Sequence, residues 1–167
     1  MNESIKLLKA DLAADEQVIA KLYESLSGAW DKLDAPDQAI VVGYYLHNLY
    51  MAFEHIFERV AETFENQIGD KSQWHAQLLR RMSLDIPDLR PRLVSDEAYE
   101  CLDELRRFRH VFRSAYTIKL DAARLKLVIR RARRLRKLFP GELSRFQAFL
   151  DQIGRTSAEP DDTAPGK

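Results

Sequence analysis

"AIVVGYYLHNLYMAFEHIFERVAETF", residues 39–64, decides the fold class, because it is the most apolar helix-forming stretch in the chain. Its large apolar side chains recur at helical spacing and cover nearly the whole circumference at its start. This pattern predicts a central core helix over about residues 36–67. Asp34 is predicted to cap that helix, with Pro36 in its first turn, where a missing backbone N–H costs little.

Helical spacing continues on both sides of this segment. It predicts a first helix over 3–27, a short helix over "SQWHAQLLRRM" (72–82) and a further helix from Ser95 to about Thr117. The two prolines in 83–94 predict a loop, and "KLD" (119–121) predicts a turn. A basic helix over 122–139 is predicted to end before Pro140, and "GELSRFQAFLDQI" (141–153) to form a final helix. Long helices with short connections predict an all-α, antiparallel helical bundle with an additional short helix and a C-terminal helix.

The length and composition fit one domain. With 167 residues and 46% hydrophobic content, the chain can bury a core over residues 1–154, while 155–167 are expected to be a disordered tail. Cys101 is the only cysteine, so no intrachain disulfide can form, and its thiol is expected to pack in the core. The start has no signal-peptide pattern and no stretch has 18 apolar residues. We therefore expect a soluble, cytoplasmic protein that does not associate with membranes.

The net charge of zero hides a strong segregation of charge along the chain. Residues 105–139 hold thirteen Lys and Arg but only one acidic residue, Asp121, so they carry a net charge of +12 and the remainder carries −12. Such asymmetry suggests a polyanionic partner or an acidic protein surface. The alternative is a basic helix that pairs with acidic helices of its own bundle.

The stretch "RFRHVFRSAY", residues 107–116, lies on the predicted fourth helix. At about 100° per residue, the core face is predicted to hold Cys101, Leu105, Phe108, Val111, Phe112 and Ala115. The opposite face is predicted to hold Arg106, Arg109, His110, Arg113 and Thr117, with Ser114 and Tyr116 on its flanks. Clustered guanidinium groups suit phosphate oxygens, and a histidine among them could move protons in metal-independent RNA cleavage. The alternative is a solvated or salt-bridged helix face.

Two other groups of residues carry side chains that could form a site. His47, Asn48, Glu54 and His55 lie on the central helix, but the two histidines are about 80° apart and two turns along, so no metal site is predicted. Asn48 or Glu54 could instead orient an arginine of the 107–116 helix. The basic helix from Arg124 to Lys137, with a predicted core strip of Leu125, Val128, Ala132, Leu135 and Phe139, could bind RNA backbone or dock an acidic partner. No cofactor motif was found, and His75 is assigned no role.

Three segments, "YYLHNLYMAFEHIFERVAETF" (44–64), "RFRHVFRSAY" and "LD" (120–121), resemble the HepT-like group of HEPN domains over about residues 5–153. The resemblance implies a helical-bundle ribonuclease toxin of a prokaryotic toxin–antitoxin pair, typically a homodimer. It also implies a nucleotidyltransferase-type antitoxin that can modify the motif tyrosine with AMP.

The family motif runs arginine, four residues, histidine, one residue, tyrosine, commonly with a polar residue after the arginine. The resemblance places Arg109 at the arginine, His110 at the polar position, Ser114 at the histidine and Tyr116 at the tyrosine, which is also the modification site. Arg106 and Arg113 are expected to contact RNA. Because serine does not titrate near neutral pH, it cannot replace imidazole as an acid or base.

Three hypotheses follow from this departure. The chain could be a ribonuclease that uses His110 as a shifted catalyst, or a degenerate member of the family. It could also be a non-catalytic module that binds RNA or docks a nucleotidyltransferase. The arginine and histidine positions of the motif are about 140° apart on one helix, so a composite cleft between two copies is predicted for any catalysis.

Overall fold

The computed structural model describes residues 2–35, 37–65, 74–114 and 120–156, and the fold within these ranges is all-α, as predicted. The five helices are α1 (Asn2–Ala29), α2 (Gln38–Phe64), α3 (Trp74–Met82), α4 (Asp96–Ser114) and α5 (Ala122–Thr156). In this described part of the chain, no helix is both long and apolar enough to cross a membrane. The predicted tail overlaps the last two residues of α5, and the rest of it lies outside the described ranges.

The central position predicted for α2 is confirmed, because this helix contacts all four other helices. Its buried aromatic rings reach across the core, and the Phe53 ring packs edge-on against Phe139 with centroids 4.8 Å apart. The prediction of all-round burial at its start was wrong. Ile40, Val41 and Tyr44 are exposed there, because the neighbouring helices cover only one side of these first turns.

The helices α1, α2, α4 and α5 form an antiparallel bundle in which cross-helix pairs fix the directions. The Tyr23 hydroxyl near the end of α1 donates to the Ala132 carbonyl oxygen in α5 at 2.9 Å. Lys9 near the start of α1 pairs with Asp151 near the end of α5. Glu97, near the start of α4, pairs with Arg134, whereas Glu104, further along α4, pairs with Arg124 near the start of α5. The α4 and α5 helices therefore also run in opposite directions.

The start of α2 differs from the prediction. The residue before the helix is Asp37, whose backbone has a φ of 63° and whose side chain makes no capping hydrogen bond. Its carbonyl oxygen accepts from the backbone N–H groups of Ile40 and Val41 at 3.1 and 3.2 Å. Asp34 is therefore not the cap, because the chain makes a further turn before the helix begins. Pro36 lies outside the described residues.

The loop predicted over 83–94 is confirmed, and Arg90 holds it against α2. The Arg90 side chain is fully buried, pairs with Glu65 at the end of α2, and donates to the Arg81 carbonyl oxygen at 3.1 Å. A short bridge between Ile86 and Arg90 closes the loop on itself. A buried carboxylate and several carbonyl groups thus satisfy this guanidinium, as a buried charge requires.

The predicted break at Pro140 was wrong, because α5 continues through it. A proline inside a helix removes one backbone hydrogen bond and costs about 3 kcal/mol or more. An uninterrupted buried strip on both sides of the proline offsets that cost. Its members are Leu125, Val128, Ala132, Leu135, Phe139, Leu143, Phe146 and Leu150. The first five are the strip that the sequence predicted, and Cys101 is buried as expected.

Candidate functional site

The helix α4, which carries most of the "RFRHVFRSAY" stretch, has a well-defined beginning. The Ser95 hydroxyl accepts from the backbone N–H of Ala98 at 3.2 Å, so Ser95 caps the helix at the start that the sequence predicted. The buried Glu142 carboxylate of α5 accepts from the Ser95 backbone N–H at 3.2 Å and also from its hydroxyl. A carboxylate at a helix N-terminus is electrostatically favourable, and this contact fixes α4 against α5.

The buried face of α4 is rotated from the prediction. Cys101, Leu105 and Phe108 are buried as expected, but Val111 is 46% exposed and Arg109, predicted on the opposite face, is only 8% exposed. Residues 105, 109 and 112 lie within about 60° of one another on a helix, so they face the same neighbour. That neighbour is α2, which approaches closely enough to cover Arg109.

A glycine explains the close approach of α2 and α4. A Cβ at Gly43 would lie 2.7 Å from Cε2 of Phe112 and 3.2 Å from Cδ1 of Leu120. Only a residue without a side chain fits under the Phe112 ring there. The Phe112 ring also lies over His47, with ring centroids 5.7 Å apart. The first half of α2 and the end of α4 therefore form a tightly packed seam.

Arg109 lies in this seam with an unusual set of partners. Its Nε donates to the thioether Sδ of Met51 at 2.9 Å, and a thioether is only a weak acceptor. Among the described residues, no carboxylate lies within 4.0 Å of its guanidinium. Removing one partner from a buried ion pair costs about 3–5 kcal/mol, so a buried arginine without a counter-ion is an expensive feature.

The other arginines of α4 divide into paired and unpaired groups. Arg106 and Arg107 both pair with Asp103, each at 2.8 Å. Arg113 is exposed and has no carboxylate partner in the described part of the chain. Because Arg109 and Arg113 are four residues apart, they lie about 40° from each other around the helix. Two neighbouring guanidinium groups of α4 thus have no carboxylate partner among the described residues.

The remaining motif residues do not surround Arg109. His110 and Ser114 are both exposed, and the Ser114 hydroxyl donates to the His110 carbonyl oxygen at 3.1 Å. His110 follows Arg109 directly, so its side chain leaves the helix about 100° away. Tyr116, together with Ala115 and Thr117, lies outside the described residues.

His47, which the sequence analysis considered only as a metal ligand, lies next to the arginines of the seam. Burial, then Arg109 and then Arg113 lower the pKa of its imidazole from its usual range. Its Nδ1 is buried and makes no hydrogen bond within the described ranges. On α2 it lies one turn before Met51, the acceptor of the Arg109 Nε. Gly43, His47 and Met51 follow one another at intervals of four residues and share one face of α2. This spacing is the signal in the sequence that could have indicated the site.

A second cluster lies next along the seam. Burial and the Glu54 carboxylate raise the pKa of the buried Tyr50 hydroxyl, while Arg106 and Arg109 oppose this shift. Glu54 is itself buried and accepts from His75 Nδ1, 2.7 Å away. The expectation that Glu54 orients an arginine of α4 was therefore wrong, because Glu54 pairs with a histidine of α3. His75, which was assigned no role, holds this carboxylate.

The residues weighed as metal ligands are dispersed. His47 faces the arginines of α4, Glu54 faces α3, and His55 is exposed. Across the described residues, no group of three His, Cys, Asp or Glu side chains is arranged to hold a metal ion.

Several arginines of the basic helix α5 pair with carboxylates of other elements of the chain. Arg124 pairs with Glu104 at 2.8 Å, and Arg134 pairs with Glu97 at 2.5 Å. Arg133 pairs with Asp31 at 2.6 Å and lies 4.5 Å over the Trp30 ring. The segregation of charge in the sequence is thus partly a packing pattern, in which the arginines of α5 meet acidic residues of other elements. Within the described residues, Arg109 and Arg113 of the seam have no such partner, and neither do Arg130 and Arg145 of α5.

Comparison with known proteins places this arrangement in a family. Residues 41–150, which include nearly all of α2 and all of α3 and α4, match a family model described as HepT-like protein. No curated protein and no solved structure gives a match. The matched segment covers more than half of the chain and contains the seam between α2 and α4. The chain therefore belongs to the HepT-like protein family.

Proposed function

We propose that this chain is the toxin component of a prokaryotic toxin–antitoxin pair, and that it cleaves RNA without a metal ion at the seam between α2 and α4. The observation that carries the proposal is the buried guanidinium of Arg109, which has no carboxylate partner among the described residues. A phosphodiester would supply the missing negative charge, and its oxygens match the planar fork of arginine.

The residues beside Arg109 suit a bound phosphate better than a carboxylate side chain from the protein itself. Arg113 lies one turn beyond Arg109, so two guanidinium groups can share the oxygens of one phosphate. When the phosphorus becomes five-coordinate during RNA cleavage, negative charge grows on those oxygens, and pre-placed arginines stabilise it. Arg106 is held by Asp103 and is expected to contribute less.

We also propose that the active form is a homodimer. Ile40, Val41 and Tyr44 of α2 and Val111 of α4 are large apolar side chains exposed beside the seam. Exposed large apolar side chains favour a protein–protein contact, and a second copy would bring a second α4 helix to the same cleft. A nucleotidyltransferase-type antitoxin acting on Tyr116 in the cytoplasm would regulate this site. Intact-mass measurement after co-expression would detect the added AMP.

A second candidate function is supported by Ser114. The Ser114 hydroxyl donates a hydrogen bond to the backbone of its own helix, and serine does not titrate near neutral pH. A family member without the motif histidine could keep the RNA-binding arginines, or the surface that docks the antitoxin, and perform no chemistry.

One assay separates the two candidates. The purified protein is incubated in EDTA with a 5′-labelled single-stranded RNA, alongside Arg109→Ala and the control Arg107→Ala, whose arginine is exposed and paired with Asp103. We expect cleavage to a 2′,3′-cyclic phosphate, with at least a 100-fold loss in Arg109→Ala and little change in Arg107→Ala. Binding without cleavage would favour the non-catalytic candidate. Equal cleavage by the wild type and Arg109→Ala would refute the site.

A further inference from the structure

The family motif leaves the site without its usual imidazole, yet an imidazole lies in the seam. His47 extends from α2 and its ring lies 5.7 Å from the Phe112 ring, while Met51, one turn later on α2, holds the Arg109 Nε. Phe112 is three residues after Arg109 and faces the same way on α4. His47 therefore lies on the opposite wall of the seam, against Phe112, where both Arg109 and Arg113 act on its ring electrostatically.

The two ring nitrogens of His47 have different surroundings. The Nδ1 atom is buried without a hydrogen-bond partner in the described part of the chain, whereas Nε2 is not buried in this way. In the neutral tautomer with its proton on Nδ1, Nε2 carries the lone pair and is the nitrogen that can accept a proton. The buried side of the ring is held by packing against Phe112 rather than by a polar partner.

The electrostatic surroundings of the His47 imidazole also favour the unprotonated form that a base requires. The charged groups that lower its pKa are Arg109 and Arg113 of α4, and no carboxylate of the described residues acts on it. The lowered pKa keeps the imidazole mostly unprotonated at pH 7, which is the form that a base requires. His110, the alternative, is exposed and leaves α4 about 100° away from Arg109.

We propose that His47 is the catalytic base of this site, in place of the histidine that the family motif has at the Ser114 position. The proposal rests on the proposed function. His47 Nε2 removes the proton of the ribose 2′-hydroxyl, and the 2′-oxygen forms a bond to phosphorus. The bond from phosphorus to the 5′-oxygen breaks, and that oxygen takes a proton from water. The products are a 2′,3′-cyclic phosphate and a 5′-hydroxyl, and His47 returns its proton to solvent.

The test compares His47→Gln with His55→Gln under single-turnover conditions in EDTA, using a 5′-labelled single-stranded RNA. His55 is on the same helix, two turns later, and is exposed. Loss of a general base typically costs 10²- to 10⁴-fold in rate, so we expect a loss on the order of 100-fold or more in His47→Gln. His55→Gln should keep the wild-type rate. Binding of a 2′-O-methyl RNA, which cannot be cleaved, should stay within about threefold in His47→Gln, because the arginines remain.

The outcomes distinguish this inference from the function on which it rests. A wild-type rate in His47→Gln, with activity lost in Arg109→Ala, overturns the inference and leaves the ribonuclease function intact. Loss of cleavage in His110→Ala but not in His47→Gln would also overturn the inference and leave the ribonuclease function intact. Absence of cleavage by the wild-type protein overturns both.

A measurement on the wild-type protein avoids any question of folding. Titration with uridine 3′-phosphate is followed through the His47 Hε1 signal by NMR. We expect that signal to move and the His47 pKa to rise, because a bound phosphate stabilises the imidazolium. A His47 signal that does not respond, while Arg109 signals do, would overturn the assignment.

Discussion

The Nε of Arg109 lies 2.9 Å from the Sδ of Met51, so a buried guanidinium is oriented by a thioether and not by a carboxylate. A carboxylate would neutralise the arginine and compete with a phosphate for it. A methionine at this place keeps the charge available and still fixes the direction of the side chain. The account of function depends on this contact.

Met51→Leu should slow cleavage in a protein that remains folded. The substitution nearly conserves volume, so the free energy of unfolding should change by less than about 1.5 kcal/mol. Loss of one weak hydrogen bond, worth about 1 kcal/mol, should slow cleavage roughly fivefold. Single-turnover rates and urea denaturation test this, with Met82→Leu as a control in a buried position away from the seam. An unchanged cleavage rate in Met51→Leu would show that the thioether does not position Arg109.

Gly43→Ala should destabilise the protein. The added Cβ would lie 2.7 Å from Cε2 of Phe112, and such overpacking typically costs about 1–3 kcal/mol. At Gly141, within α5, an added Cβ would meet nothing within 4 Å. Gly141→Ala should therefore gain up to about 1 kcal/mol from helix propensity. Thermal melts of both variants decide the point, and equal stabilisation by the two would mean that α2 and α4 are less tightly packed.

The pKa of His47 should rise in Arg113→Met. Burial, Arg109 and Arg113 all disfavour the protonated ring, so removing one positive charge moves the pKa back toward 6.5. Because the base must be unprotonated, the acidic fall of the rate should lie below pH 6.5 in the wild type and shift upward in the variant. NMR titration of His47 measures the pKa independently of catalysis. A pKa that is unchanged or lower in Arg113→Met would contradict the electrostatic account.

RNA affinity should depend on the unpaired arginines and not on the paired ones. Each phosphate contact contributes to the slope of log Kd against log salt concentration, so Arg113→Ala should reduce that slope by about 1. Arg134→Ala should leave it unchanged, because Arg134 already pairs with Glu97. Fluorescence anisotropy with a 2′-O-methyl RNA gives both slopes. Equal reductions of the slope in the two variants would mean that α5 also binds RNA.

The periodicity of the sequence predicted most of the fold. The buried strip of α5 and the central place of α2 follow from apolar spacing, which depends on the helix itself. The break predicted at Pro140 did not occur, because packing on both sides of the proline outweighs its local cost. The cap predicted at Asp34 was also wrong, because the chain makes a further turn through Asp37 before α2 begins.

The candidate site was harder to predict, because it lies between two helices. A helical projection of α4 placed Arg109 on the outer face, yet the burial of Arg109 depends on how closely α2 approaches. That approach depends on Gly43, which lies more than sixty residues earlier in the chain. His47 carried no motif, and it became a candidate only when its place beside the arginines was known.

We propose that the charge of Arg109 serves RNA cleavage rather than the stability of the fold. Arg109→Met tests it most directly, with thermal midpoint and cleavage rate measured on the same preparations. Replacing a buried, unpaired charge by an apolar side chain should stabilise the protein by about 1–3 kcal/mol, a rise of roughly 2–4 °C per kcal/mol. The same variant should lose at least about 100-fold in cleavage rate. A lower thermal midpoint, or cleavage at the wild-type rate, would contradict the account.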